Sequence, residues 1–112
     1  MSRTASGLRA WVVQRVSAVY LALFFVYLIV QWLAAPPVDY AAWRAWIGHP
    51  LMNVASLLFV AALLLHAWVG LRDILIDYVH PTALRVSLLA AIGLGLLACG
   101  LWAATVLFAA RL

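Results

Sequence analysis

The sequence predicts an all-α integral membrane fold: three transmembrane helices, with a short interfacial helix between the first and the second. Composition is the first reason. Of 112 residues, 70% are hydrophobic and 9% charged, and the mean hydropathy is +1.15. Soluble domains run nearer half apolar and about a quarter charged, and a chain this short cannot hide so much apolar surface in a single water-soluble core. The second reason is three apolar runs, each long enough to cross a bilayer. The third is the punctuation between them: Pro36-Pro37, His49-Pro50 and His80-Pro81.

The first run, Val16 to Ala35, follows a mixed lead containing Arg3, Arg9 and Arg15. Its roughly 20 residues match the hydrocarbon thickness at about 1.5 Å per residue. It is longer than the apolar core of a cleaved signal peptide and two further runs follow, so it reads as a retained span of about 16–35. Pro36-Pro37 stops it. Asp39 then serves as N-cap for a short helix over about 39–48. Tyr40, Trp43 and Ile47 share one face of that helix at i, i+3 and i+7, with Trp46 beside them, as expected of a segment at headgroup level. His49-Pro50 ends it, which makes His49 an exposed boundary histidine.

The second span covers about 53–78 and turns charged toward its end while keeping helical spacing. The third covers about 86–110. Along it Ala91, Gly95, Cys99 and Ala103 form a small-residue stripe that suits close helix approach. Cys99, the lone cysteine, reads as a buried packing residue. The whole chain, 1–112, is one membrane domain.

The seven basic residues are all arginine and sit at the ends of apolar runs. That placement fits phospholipid headgroups and argues against nucleic acid. Arg3, Arg9, Arg15, Arg72 and Arg85 fall on one side, Arg44 and Arg111 on the other. The excess puts the N-terminus in the cytoplasm and the C-terminus on the periplasmic side.

The chemistry concentrates in the second span. A histidine inside hydrocarbon is costly, so His66 is a functional candidate. With His66 at zero on a helical wheel, Ala62 falls near roughly −40°, Gly70 near +40°, Asp73 near −20° and Asp77 near +20°. Small residues one turn to either side of His66 leave room for a flat macrocycle beside its imidazole. Two readings stand on spacing alone: a haem or metal ligand, or a structural or proton-relay histidine. No other histidine of the chain can reach His66, so a second axial ligand would have to come from another chain. Asp77 and Tyr78 lie about 16–18 Å further along the helix. The Tyr78 phenol can donate to a quinone carbonyl, with Asp77 orienting an arginine or a water; the alternative is an interfacial tyrosine beside a snorkelled carboxylate. Arg15 can meet lipid phosphate or a carboxylate inside the bundle. Arg72 and Asp73, being consecutive, are expected to point apart.

His66-Ala67-Trp68-x-Gly70, followed by Leu75-x-Asp77-Tyr78-Val79-x-Pro81-x-Ala83-Leu84-Arg85, with Arg15-Val16-Ser17-Ala18 upstream, resembles the small hydrophobic membrane-anchor subunit (cytochrome b556 small subunit) of bacterial succinate dehydrogenase, respiratory complex II. The likeness is ordered over roughly residues 10–90; the third span matches only in hydrophobicity and length. It implies a non-catalytic, three-helix, multi-pass subunit of the bacterial inner membrane. Haem b would be shared with a second membrane-anchor subunit, the cytochrome b556 large subunit. His66 would be an axial ligand of the haem iron, Arg15 a residue near a haem propionate, Tyr78 the ubiquinone contact and Asp77 its acidic neighbour. A flavoprotein subunit and an iron–sulfur subunit would deliver electrons from succinate, a step of the tricarboxylic acid cycle. Asp73 departs from the pattern by adding a carboxylate, and His80 stands where another basic or polar residue is expected. Two alternatives are the anchor of a fumarate reductase using menaquinone, and a small proton-coupled membrane transporter, which needs a carboxylate deep in a span.

Overall fold

A computed structural model describes residues 3–112, with side chains from Gly7 onward; the Arg3 side chain, counted in the charge balance above, lies outside the described residues. Four helices follow in order: α1 (Arg3–Ala34), α2 (Tyr40–Gly48), α3 (Pro50–Tyr78) and α4 (Thr82–Arg111). Within them Gly7–Ala34, Pro50–Tyr78 and Thr82–Arg111 are 28, 29 and 30 residues long and apolar enough to cross a membrane. At 1.5 Å per residue they reach about 42 to 45 Å, more than the roughly 30 Å of hydrocarbon. Tilt or projection into the headgroups takes up the difference.

Each spanning helix outruns the apolar run that announces it. α1 begins at Arg3 rather than near residue 16, because its lead contains no proline and hydropathy marks only the part suited to lipid. α3 begins at Pro50, where proline's fixed φ suits the first helical position. The predicted short helix is α2. Asp39 caps it, its Oδ1 accepting from the Ala42 N–H at 2.8 Å. His49 then serves two helices at once. Its N–H donates to the Trp46 carbonyl at the end of α2, and its Nδ1 accepts from the Leu51 N–H at the start of α3, both at 3.3 Å.

α3 is the central helix. α1 and α4 flank it and, among the described residues, do not pack on each other. α2 folds back onto α3 and α4. The buried cluster of Phe24, Ile47, Met52 and Leu107 sits at the α2 end, with Phe24 and Phe59 stacked at a 4.9 Å centroid separation. Polar groups tie this end together. The Tyr20 hydroxyl donates to the Ala55 carbonyl at 2.7 Å, joining α1 to α3. Asn53, with no exposed surface, donates from Nδ2 to Ile47 O at 3.0 Å and to Leu107 O at 2.8 Å, joining α2, α3 and α4.

α4 meets α3 through glycines other than those of the expected stripe. A Cβ at Gly93 would lie 3.4 Å from Trp68 Cζ3, and one at Gly100 would collide with Leu64 Cδ1. Gly95 has nothing within 4 Å. Cys99 is exposed rather than buried. With α1 and α4 held apart, Cys99 and Ala103 line an apolar groove of about 800 Å³ between them. Most large apolar side chains of the spans face outward, where only lipid or a partner helix can cover them.

Candidate functional site

The polar site lies at the other end of the α1–α3 pair. Gln14 and Ser17 stand one turn apart on α1 and face α3. Ser17 is 6% exposed. Its hydroxyl oxygen is 3.1 Å from the Gln14 carbonyl and 3.2 Å from His66 Nδ1. A serine has one hydrogen to donate and lone pairs to accept with. Donation to the carbonyl one turn back is the common habit of serine in apolar helices. The oxygen is then free to accept from Nδ1–H. That assignment satisfies all three groups and leaves His66 Nε2 without a proton.

His66 borders a cavity of about 590 Å³, within the range of small-molecule and cofactor sites. Gln14, Arg15 and Ala18 line it from α1, and His66, Val69, Arg72 and Asp73 from α3. Two guanidinium groups against one carboxylate leave the cavity positive. The Arg15 guanidinium carbon lies 5.5 Å from the Trp11 ring centroid, within cation–π range. Gln14 Oε1 is buried and has no hydrogen-bond partner among the described residues. An acceptor left unpaired in an apolar setting costs about 1–3 kcal/mol, so this oxygen marks a place suited to an incoming donor.

The structure corrects two expectations here. Space does not open over Gly70, because a Cβ there would meet Gln14 Nε2 at 3.6 Å. The opening runs instead toward Val69, Arg72 and Asp73. Arg72 and Asp73 also pair, with Nε and Nη2 at 3.3 and 3.1 Å from Asp73 Oδ1. Helical spacing separates their Cβ atoms, but the arginine stem is long enough to fold back. The pair is partly solvent-exposed, a class worth about 0–1 kcal/mol.

The structure brings Arg15 and His66 together at one cavity and leaves Asp77 and Tyr78 outside it. Those two end α3, and Tyr78 is 77% exposed. Among the described residues no three His, Cys, Asp or Glu side chains converge, so His66 is the sole imidazole donor at the cavity. Ser17 and Gln14 carry no role in the sequence reading. The available signal is two polar side chains one turn apart near the start of an apolar run.

The sequence-family model described as "Succinate dehydrogenase/Fumarate reductase transmembrane subunit" matches residues 1–108. The chain belongs to that family. It is 34% identical over 105 residues to a succinate dehydrogenase hydrophobic membrane anchor subunit of Coxiella burnetii, covering 94% of this chain and 91% of that one. It is 35% identical over 89 residues to the protein of the same name from Rickettsia felis, covering 80% and 74% of the two chains. Three apolar helices and membership of a transmembrane-subunit family make this a multi-pass membrane anchor.

Proposed function

We propose that this chain is the small anchor of a succinate:quinone oxidoreductase, that it supplies one axial ligand to haem b, and that it forms part of the ubiquinone-reduction site. The observation that carries the reading is His66: an imidazole bordering a positively lined cavity, with Nδ1 hydrogen-bonded to Ser17 and Nε2 without a partner among the described residues.

The residues present fit a haem. His66 Nε2 is the nitrogen to meet the iron, and Arg15 offers charge to a propionate. Bound there, haem b supplies one-electron transfer. A second ligand would come from the second membrane-anchor subunit, since His49 and His80 lie at helix boundaries and do not line the cavity. At the end of α3 the Tyr78 hydroxyl donates to a quinone carbonyl oxygen, and Asp77 orients the group that delivers the proton. The exposure of both side chains supports a site completed by partner subunits.

On this reading the chain is a non-catalytic subunit. A flavoprotein and an iron–sulfur subunit dock on the cytoplasmic face of the inner membrane, beside the α1 N-terminus and the α3–α4 loop. The family description also covers fumarate reductase, and a menaquinone-using anchor would use the same residues. The test is a reduced-minus-oxidised spectrum of the purified complex, wild type against His66→Ala. Loss of a b-type band in the variant supports the reading; a band absent from the wild type or unchanged in the variant refutes it.

A further inference from the structure

We infer that Ser17 is the positioning residue of the haem ligand: its hydroxyl oxygen accepts from His66 Nδ1–H, fixes the tautomer and ring plane, and so presents Nε2 to the iron. The inference deepens the haem reading and rests on it.

The hydrogen count at Ser17 carries the argument. If the hydroxyl donated to Nδ1, the imidazole would hold its proton on Nε2 and could not ligate through that nitrogen, and the Gln14 carbonyl would lose its second donor. If it donates to Gln14 O at 3.1 Å, Ser17 Oγ accepts from Nδ1–H at 3.2 Å and every group is paired. Metal-ligating histidines almost always donate their other ring N–H in this way, which orients the ring and raises its basicity. Among the described residues no other acceptor competes. Gln14 Oε1 makes no hydrogen bond, and Asp73 bonds to Arg72. Ser17 is itself held, since its burial and its bond to Gln14 confine its χ1. The burial also keeps water from substituting for the hydroxyl.

The contact spans 49 residues of sequence, so it joins α1 to α3 at the ligand itself. A tilt of α1 would move the Nδ1 acceptor and with it the donor strength of His66.

The test uses the whole complex, purified from membranes, with redox titration of the b-type band. Ser17→Ala is expected to keep the band and raise its midpoint potential, because a less basic imidazole stabilises ferric iron less. Haem affinity should fall about 10–100-fold, the usual loss when an outer-shell partner of a metal ligand is removed. Ser17→Thr keeps the hydroxyl and should titrate like the wild type. A Ser17→Ala complex that binds haem at the wild-type potential overturns the inference. Should that variant fail to assemble, Ser17→Cys keeps the volume with a weak acceptor; a raised potential supports the inference and an unchanged one overturns it. A band missing from the wild type, or persisting in His66→Ala, is the distinct signature of failure of the haem reading itself, and the inference falls with it.

Discussion

Asn53 Nδ2 donates to the carbonyl oxygen of Leu107 at 2.8 Å, across 54 residues of sequence. The same nitrogen donates to Ile47 O, so a single amide fastens the end of α2 to both α3 and α4. Because α1 and α4 do not pack on each other, this amide and the glycine contacts fix α4 in place. Asn53→Leu puts a larger apolar side chain in its place and takes this donor from both carbonyls; Leu107 O keeps its helical partner within α4, whereas Ile47 O is left without its donor. A buried group so orphaned costs about 1–3 kcal/mol, and hydrogen bonds between membrane helices average about 0.6 kcal/mol. The expected outcome is a purified complex with a lower inactivation temperature and an unchanged haem content, since the change lies at the end remote from His66.

Three glycines rank by what a methyl group would meet. At Gly48 it would strike the Ala110 carbonyl, which is backbone and cannot turn away. At Gly100 it would strike Leu64 Cδ1, the free end of a flexible side chain. At Gly95 it would meet nothing. Overpacking costs about 1–3 kcal/mol. Gly48→Ala should therefore lower thermal stability most, Gly100→Ala less, and Gly95→Ala least. Thermal inactivation of the three variant complexes checks that order.

Tyr78 is exposed at the end of α3, and its hydroxyl bonds to no described residue. Tyr78→Phe therefore removes nothing that holds this chain together. It should lower succinate–quinone reductase activity about 100-fold or more, the lower end of the effect of a positioned donor. Succinate oxidation by a soluble artificial acceptor should stay intact. Equal loss of both activities would instead report misassembly.

The fold was legible where hydropathy carries it. Three apolar runs became three helices, and Asp39 with the flanking prolines bounded α2. The packing faces were not legible. An apolar helix such as α4 offers several lines of small residues with no polar contrast to choose among them. The stripe at Ala91, Gly95, Cys99 and Ala103 was the visible line, whereas α3 packs against Gly93 and Gly100. At the site, His66 and Arg15 were readable one by one because charge and imidazole are rare in spans. Their meeting at one cavity depends on how α1 lies against α3, which local pattern does not encode. Ser17 was hidden for the same reason: its partner His66 is 49 residues away. The Arg72–Asp73 pair escaped because helical spacing places Cβ atoms and says little about the tip of an arginine.

The most direct measurement is haem per complex in four preparations: wild type, His66→Ala, His49→Ala and His80→Ala. One haem b is expected in the wild type and in the His49 and His80 variants, and none in His66→Ala although all subunits remain assembled. An assembled His66→Ala complex that retains a full complement of haem would contradict it.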